Sequence, residues 1–133
     1  MAESGPRRKL AAILAADVVN FSRMMGENED RTLRNLKICR TITDRAIQSN
    51  HGRVFGGAGD SIIAEFGSPV DALIAATGVQ QDLESRNQTV PVEDQMVFRV
   101  GLNLGDVIIE GDNLYGDGVN VAARLEAFAD PGG

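Results

Sequence analysis

The chain has 133 residues, of which 43% are apolar and 24% charged, so its size and composition fit one globular domain with a substantial core and exclude a disordered segment. A net charge of −6 disfavours nonspecific binding to nucleic acid or to an anionic membrane, so we expect neither contact from this segment. Cys39 is the only cysteine, which excludes an internal disulfide and favours a reducing, cytoplasmic location.

The first predicted element is a strand within the apolar run from Leu10 to Phe21, after a polar lead-in at residues 1–8 that we expect to be mobile. The run does not alternate, which predicts a central strand covered on both faces. The basic residues 7–9 before the run resemble the start of a secretory signal, but Asp17 interrupts the apolar stretch too early for that interpretation. An acid at the end of a buried strand is costly unless a cation compensates it, so Asp17 is a candidate metal ligand.

A turn over residues 22–28 and a long helix are predicted next. The helix begins near Asn28 or Asp30 and ends at residues 50–52, where His51 and Gly52 interrupt the pattern. One apolar stripe at intervals of three or four residues supports it: Leu33, Leu36, Cys39, Ile42 and Ala46.

A hairpin is predicted after this helix, with strands at residues 53–55 and 60–66 around the Gly-rich turn 56–59. Asp60 lies where that turn meets the second strand. A single aspartate at a strand end usually serves as a turn or cap residue. Together, however, Asp17 and Asp60 would supply the oxygen ligands that Mg²⁺ or Mn²⁺ prefers in phosphoryl chemistry.

The second half of the chain predicts a helix, two strands and a final helix. Ser68 is the expected N-cap of a helix running to about Arg86, and a polar loop follows at residues 87–95. Residues 97–103 and 106–110 predict a hairpin, residues 111–117 a loop, and Gly118 the start of the last helix. The order β-α-β-β-α-β-β-α predicts an α/β sandwich of the α+β type, with a mainly antiparallel sheet around a ferredoxin-like βαββαβ core.

Asn120 and Arg124 are four residues apart on the last predicted helix and therefore share a face. Apolar neighbours predict that this face is partly buried, where an arginine usually forms a salt bridge. The functional alternative is a guanidinium that stabilises charge on a transferring phosphorus.

Four motifs in this order resemble the catalytic domain of the class III adenylate and guanylate cyclases, in particular the bacterial members. The similarity covers residues 9–133, which we take as one catalytic domain. The motifs are ADVVNFSRMM (16–25), AGDSIIAEF (58–66), FRVGLNLGDVIIEGD (98–112) and LYGDGVNVAARLE (114–126).

The resemblance implies that a homodimer cyclises ATP to 3′,5′-cyclic AMP and pyrophosphate. Two magnesium or manganese ions would be held by Asp17, Asp60 and the carbonyl of Val18. Amides of the turn at Val19, Asn20, Phe21 and Ser22 would cradle the phosphates. Asn120 would orient the ribose and Arg124 would stabilise the transition state. Both act across the dimer in this family, so two protomers would build two shared sites.

Three departures from the family pattern leave alternatives open. Gly56 replaces the lysine that commonly reads adenine, and Asn113 replaces its partner acid. An asparagine can accept from adenine or donate to guanine, so GTP remains an alternative substrate. The family's domains continue beyond Pro-Gly-Gly with further strands and a phosphate-contacting lysine, so we expect this chain to be incomplete at its C-terminal end. A non-catalytic module that dimerises or binds nucleotide is the other alternative.

Overall fold

A computed structural model describes residues 7–111 and 113–133 of the chain. It contains a five-stranded sheet and four α-helices, with the bounds that follow in chain order: β1 (Arg7–Val18), α1 (Phe21–Glu27), α2 (Glu29–Ser49), β2 (Arg53–Gly56), β3 (Ile62–Phe66), α3 (Pro69–Asn87), β4 (Phe98–Glu110), β5 (Asn113–Tyr115) and α4 (Asp117–Phe128). A short 3₁₀ turn at Val92–Asp94 precedes β4. In the described part of the chain, no helix is both long and apolar enough to cross a membrane.

The strands lie in the order β2-β3-β1-β4-β5, and every neighbouring pair is antiparallel. The sheet curls so that β2 and β5, its two edge strands, contact each other. This confirms the predicted mixed α/β fold with an antiparallel sheet. Strand β1 is central, as its unbroken apolar run predicted, and it pairs with β4 over twelve residues from Arg7–Ile109 to Val18–Phe98.

The two faces of β1 belong to two separate cores. Alternate residues of a strand point to opposite faces of a sheet. Ala12, Leu14, Ala16 and Val18 therefore pack in one cluster with residues of α2 and α3. Ala11, Ile13 and Ala15 pack in the other cluster, with Ala122 of α4 and Leu114 of β5. Asp17 follows the second set and thus lies on the α4 face.

The helix starts follow the local sequence. Ser68 accepts hydrogen bonds from the amides of Val70 and Asp71, which confirms it as the N-cap of α3. Asn28 caps α2 by accepting from the amide of Arg31, with Glu29 and Asp30 in the first turn.

Several element boundaries differ from the sequence prediction. Residues 7 and 8, expected in the lead-in, already belong to β1, whereas residues 1–6 lie outside the described part. The turn expected at residues 22–28 contains the short helix α1. The hairpin expected between residues 97–103 and 106–110 is wrong, because both segments form the single strand β4. The hairpin partner of its last three residues is β5, which lies within the segment expected to be a loop.

The continuity of β4 has a simple physical reason. The predicted hairpin placed its turn at residues 104–105, but β1 is long enough to pair with β4 on both sides of these residues, with Ala11 opposite Gly105. The hydrogen bonds of that ladder outweigh the weak strand preference of one glycine.

Candidate functional site

The end of β1 and the turn between β2 and β3 meet at one end of the sheet. The amide of Val18 donates a hydrogen bond of 2.9 Å to Oδ2 of Asp60. Gly57 permits the tight turn that brings Asp60 there: its φ is +121°, and a Cβ would lie 2.2 Å from the carbonyl oxygen of Ser61. The structure therefore places the Asp60 carboxylate beside the residue that follows Asp17, and both aspartates are half-buried.

Arg99 lies next to Asp17 because the two residues are paired in the β1–β4 ladder. Its Nη2 is 3.5 Å from Oδ1 of Asp17, and its Nε is 3.8 Å from Oε1 of Glu126 on α4. The guanidinium thus stands between two acids on different elements.

Glu126 is the buried acid of this cluster, with 7% of its surface exposed. It ends the buried stripe of α4, which is Gly118, Ala122 and Glu126 at intervals of four residues. Burial and the nearby carboxylates of Asp17 and Asp60 raise the pKa of Glu126 to about 8, although Arg99 acts in the opposite direction. Three carboxyl groups and one guanidinium therefore share this end of the α4 face.

Small residues let α4 lie directly on β1 and β4. A Cβ on Gly101 would be 2.3 Å from the amide nitrogen of Glu126 and 2.5 Å from the carbonyl oxygen of Ala122. A Cβ on Gly118 would be 2.5 Å from the carbonyl oxygen of Asp106, and Asn103 donates to the carbonyl of Gly118 at 3.0 Å. The position of α4 over the sheet is thus set by backbone contacts at both ends.

Asn120 and Arg124 lie on the outer face of α4, away from its buried stripe, and both are exposed. The expectation that this face is partly buried is wrong, because Leu125 and Phe128 beside them are also 46% and 86% exposed. Arg124 has no ion pair or side-chain hydrogen bond with the described residues, so the salt-bridge interpretation is not supported within this part of the chain.

The predicted phosphate-binding turn follows β1. Asn20 has a left-handed conformation, with φ 60° and ψ 30°, and α1 begins at Phe21. The first amides of a helix have no partner inside it, which suits the prediction for Phe21 and Ser22. Val19 differs, because its amide donates to the carbonyl of Val97 at 2.8 Å and is not free to bind phosphate.

The two candidate base-reading positions lie near each other because the sheet curls. Phe55 and Leu114, the neighbours of Gly56 and Asn113, pack in the same core cluster. A Cβ on Gly56 would meet no atom within 4 Å, so the position has room for a side chain. Asn113 is exposed at the start of β5.

The sequence reasoning missed Arg99 and Glu126. Glu126 carried a usable signal, since it extends the Gly118–Ala122 spacing and an acid on a buried stripe of a helix is unusual. Arg99 carried none, because only the pairing of β1 with β4 brings it to Asp17.

Comparison with known proteins identifies the family. Residues 5–133 match the sequence profile of the adenylate and guanylate cyclase catalytic domain. The chain belongs to this cyclase family. It is 46% identical over 135 residues to a Rhizobium meliloti (strain 1021) protein named "Putative adenylate cyclase 3", covering 100% of this chain and 23% of that protein. The cyclase domain thus spans about a quarter of the length of this relative.

Solved structures of cyclases agree with this family assignment. An adenylate/guanylate cyclase/hydrolase from Silicibacter pomeroyi has a TM-score of 0.88 and 39% identity, covering 96% of this chain and 75% of that one. A bacterial light-regulated adenylyl cyclase has a TM-score of 0.83 and 25% identity, covering 92% of this chain and 40% of that one. The fold of the chain and its membership of the adenylate and guanylate cyclase catalytic-domain family are therefore established.

Catalytic domains of this cyclase family are generally metal-dependent, and the oxygen donors of the site fit a hard divalent cation. Among residues 7–111 and 113–133, no three His, Cys, Asp or Glu side chains are arranged to hold a metal ion. Mg²⁺ and Mn²⁺ commonly use one or two carboxylates and complete their shells with phosphate and water. Asp17 and Asp60 meet that requirement as a pair.

Proposed function

We propose that this cyclase domain converts ATP to 3′,5′-cyclic AMP and pyrophosphate in a homodimer whose two sites are shared between protomers. The observation that carries the proposal is the separation of the candidate groups within one chain. Asp17 and Asp60 lie at the sheet side of α4, whereas Asn120 and Arg124 extend from its outer face. A second protomer that covers the outer face of α4 would bring the two sets together.

The exposed surface around Arg124 also supports the proposed dimer. Leu125 and Phe128 on α4 are large side chains that are 46% and 86% exposed. Apolar residues around a guanidinium that has no ion pair among residues 7–111 and 113–133 are typical of a surface that another molecule covers. Two copies in a symmetric pair would cover this surface twice and build two sites.

In the proposed reaction, the ribose 3′-hydroxyl loses its proton to water and its oxygen attacks the α-phosphorus, so that a new O3′–P bond forms, the bond to the pyrophosphate oxygen breaks and pyrophosphate leaves. Asp17, Asp60 and the Val18 carbonyl would hold two Mg²⁺ or Mn²⁺ ions, which lower the pKa of the hydroxyl and offset phosphate charge. Amides at Asn20, Phe21 and Ser22 would bind phosphate oxygens.

The partner-side residues would complete the site. The guanidinium of Arg124 in one protomer would stabilise the negative charge that develops on the phosphorus bound by the other. The amide of Asn120 would hold the ribose so that the 3′-oxygen is in line with the leaving oxygen. ATP is proposed as the substrate because the 46% identical relative bears the name "Putative adenylate cyclase 3". The side-chain amide of Asn113 can bind either purine, so GTP is the competing substrate.

Mixing two inactive variants tests the shared site. Asp60→Asn retains an oxygen that can accept from the Val18 amide but removes the carboxylate charge, and Arg124→Ala removes the guanidinium. Each variant alone should lose at least about 99% of Mn²⁺-dependent cyclic AMP formation, since one charged transition-state contact is worth roughly 10²–10³ in rate.

A mixture of the two variants should recover activity, because a mixed dimer keeps one site with both native groups. Full recovery is limited to about one quarter of the wild-type rate, since half of the dimers are mixed at random association and each has one intact site. Mixing Asp17→Asn with Asp60→Asn is the matched control and should recover nothing. Absence of recovery in the first mixture contradicts the shared site, and faster product formation from GTP than from ATP contradicts the proposed substrate.

A further inference from the structure

Arg99 connects the candidate cation site with helix α4. Its guanidinium approaches Asp17 with one nitrogen and Glu126 with another, at 3.5 and 3.8 Å. The contact between Arg99 and Glu126 leaves two buried polar atoms without a hydrogen bond in the described part of the chain. Arg99 Nε and Glu126 Oε1 are both shielded from solvent, and neither has a hydrogen-bond partner among the described residues. A separation of 3.8 Å is too long for a hydrogen bond, so two buried polar atoms face each other without being satisfied.

We propose that Arg99 is a positioning residue that couples cation binding at Asp17 to the placement of α4 through Glu126. Metal-free protein would hold Arg99 between the two acids, and the cation-bound protein would hold it against Glu126. The consequence for catalysis rests on the proposed function, because α4 carries Asn120 and Arg124.

The direction in which the Arg99 guanidinium would move on cation binding follows from charge. Arg99 is the positive group next to Asp17 in the described arrangement. A divalent cation on Asp17 and Asp60 would replace the guanidinium as their counter-charge and repel it. Glu126 is then the nearest acid, and closing the 3.8 Å gap by about 1 Å would form a charge-assisted hydrogen bond that satisfies both orphaned atoms.

The backbone around Glu126 makes this a coupling to the helix and not only to one side chain. The amide nitrogen of Glu126 lies directly over Gly101, the second residue after Arg99 on the same strand. Glu126 is also two residues after Arg124, on the same turn of α4. A tighter contact between Arg99 and Glu126 would therefore fix the part of α4 that carries the Arg124 guanidinium.

Coupling of this kind is reciprocal. In the proposed dimer, Asp17 of a protomer serves one site and its Arg124 serves the other. Cation binding at the first site would then order the arginine of the second. A nucleotide held by that arginine would, in turn, tighten cation binding at the first. The two sites of the dimer would be positively linked through Arg99 and Glu126.

Hydrogen exchange of the α4 amides measures the coupling without using activity as the readout. The full chain is compared with and without Mn²⁺, and the exchange rates of peptides within residues 118–128 are recorded. Mn²⁺ should slow exchange in wild-type α4 by about fivefold or more, the lower end of typical coupling between sites. Glu126→Gln and Arg99→Gln should each abolish most of that change, whatever they do to the exchange rate without metal.

Glu65→Gln is the matched control, because Glu65 is also an ion-paired glutamate but contacts Lys9 and Arg53 on another part of the sheet. It should retain the wild-type response to Mn²⁺. The inference is overturned if wild-type α4 does not respond to Mn²⁺, or if Glu126→Gln responds as the wild type does. Cyclase assays on the same samples separate the two proposals. Activity without an exchange response contradicts only the proposed coupling, and an exchange response without activity contradicts only the proposed function.

Discussion

The two faces of the central sheet carry apolar cores of different size. The face toward α2 and α3 is packed with large side chains, among which Leu14, Ile47, Phe66, Met96 and Phe98 are at most 2% exposed. The core toward α4 is smaller. It contains Ile13, Val107 and Leu114, and it places the small residues Ala11 and Ala15 of β1 and Gly101 and Gly105 of β4 beneath the helix. Large side chains bury more apolar area, whereas small ones bring backbones close together.

The difference suggests a division of roles. The α2/α3 face supplies most of the burial that stabilises the domain, and the charged groups of the site lie on the opposite face. The α4 face contributes less apolar area but places a helix backbone in contact with a strand, next to Asp17, Arg99 and Glu126. We expect substitutions on the first face to lower stability and substitutions on the second to lower activity out of proportion to stability.

The largest loss of stability is expected from Phe98→Ala, because Phe98 is fully buried in the α2/α3 cluster. Removing such a ring should lower the free energy of unfolding by about 3–5 kcal/mol, measured by urea denaturation. Val97→Ala is the control, since its side chain is 39% exposed, and it should change stability by no more than about 0.5 kcal/mol. Equal effects of the two substitutions would refute the division of roles.

A smaller loss of stability is expected from Gly101→Ala on the α4 face. The added methyl group would meet the backbone of α4 at 2.3 Å, so the helix has to move. We expect a cost of about 1–3 kcal/mol, typical of overpacking, together with a fall in cyclase activity of at least about tenfold at a temperature where the protein is folded.

Gly26→Ala is its control, because a Cβ at this position in α1 meets no atom within 4 Å. It should be neutral or slightly stabilising, since alanine suits a helix better than glycine. Retention of full activity by Gly101→Ala would show that the close approach of α4 to β4 is not needed for the reaction.

The smallest effect is a pH dependence that arises from Glu126. Its pKa is raised from 4.5 to about 8, so the folded, metal-free protein keeps a proton that the unfolded chain releases between these values. The stabilisation is therefore fully present below pH 4.5 and is lost as the pH rises toward 8, with a slope of at most about 1.4 kcal/mol per pH unit.

Denaturation of the metal-free protein in EDTA at several pH values measures this slope. Glu126→Gln cannot ionise and should flatten it, so that the variant gains stability relative to the wild type as the pH approaches 8. Glu93→Gln, at an exposed position in the 3₁₀ turn, should leave the slope unchanged. An unchanged slope in Glu126→Gln would mean that the pKa of this carboxyl is not raised.

Local patterns in the sequence predicted much of the fold. The apolar run of β1, the stripe of α2 and the Ser68-Pro69 start of α3 depend on residues near one another in the chain. The structure has a strand and two helices at these places, although Leu33 of the predicted α2 stripe is 43% exposed. The unbroken β4 and the short β5 were not predictable in this way, because pairing with distant residues decides them.

The residues of the site also divide into those that local sequence patterns predicted and those that depend on distant pairing. Asp17 and Asp60 were named because each lies at the end of an apolar strand, and the structure places Asp60 beside Val18. Their role as metal ligands remains a prediction. Arg99 became visible only through the strand register, whereas Glu126 had an unused sequence signal in its four-residue spacing from Ala122 and Gly118. The exposure of Asn120 and Arg124 was predicted wrongly, because apolar neighbours on a helix do not reveal which of its faces meets the sheet.

The twelve-residue pairing of β1 with β4 makes this half of the molecule intolerant of changes in chain length. Because side chains alternate between the two faces, deleting one residue of β4 between Gly101 and Gly105 would turn Arg99 and Gly101 toward α2 and α3. The guanidinium would then enter an apolar core, and a bulkier neighbour would stand under α4. Insertions and deletions should therefore be tolerated in the turns of this domain that carry no site residue far more readily than within its two longest strands.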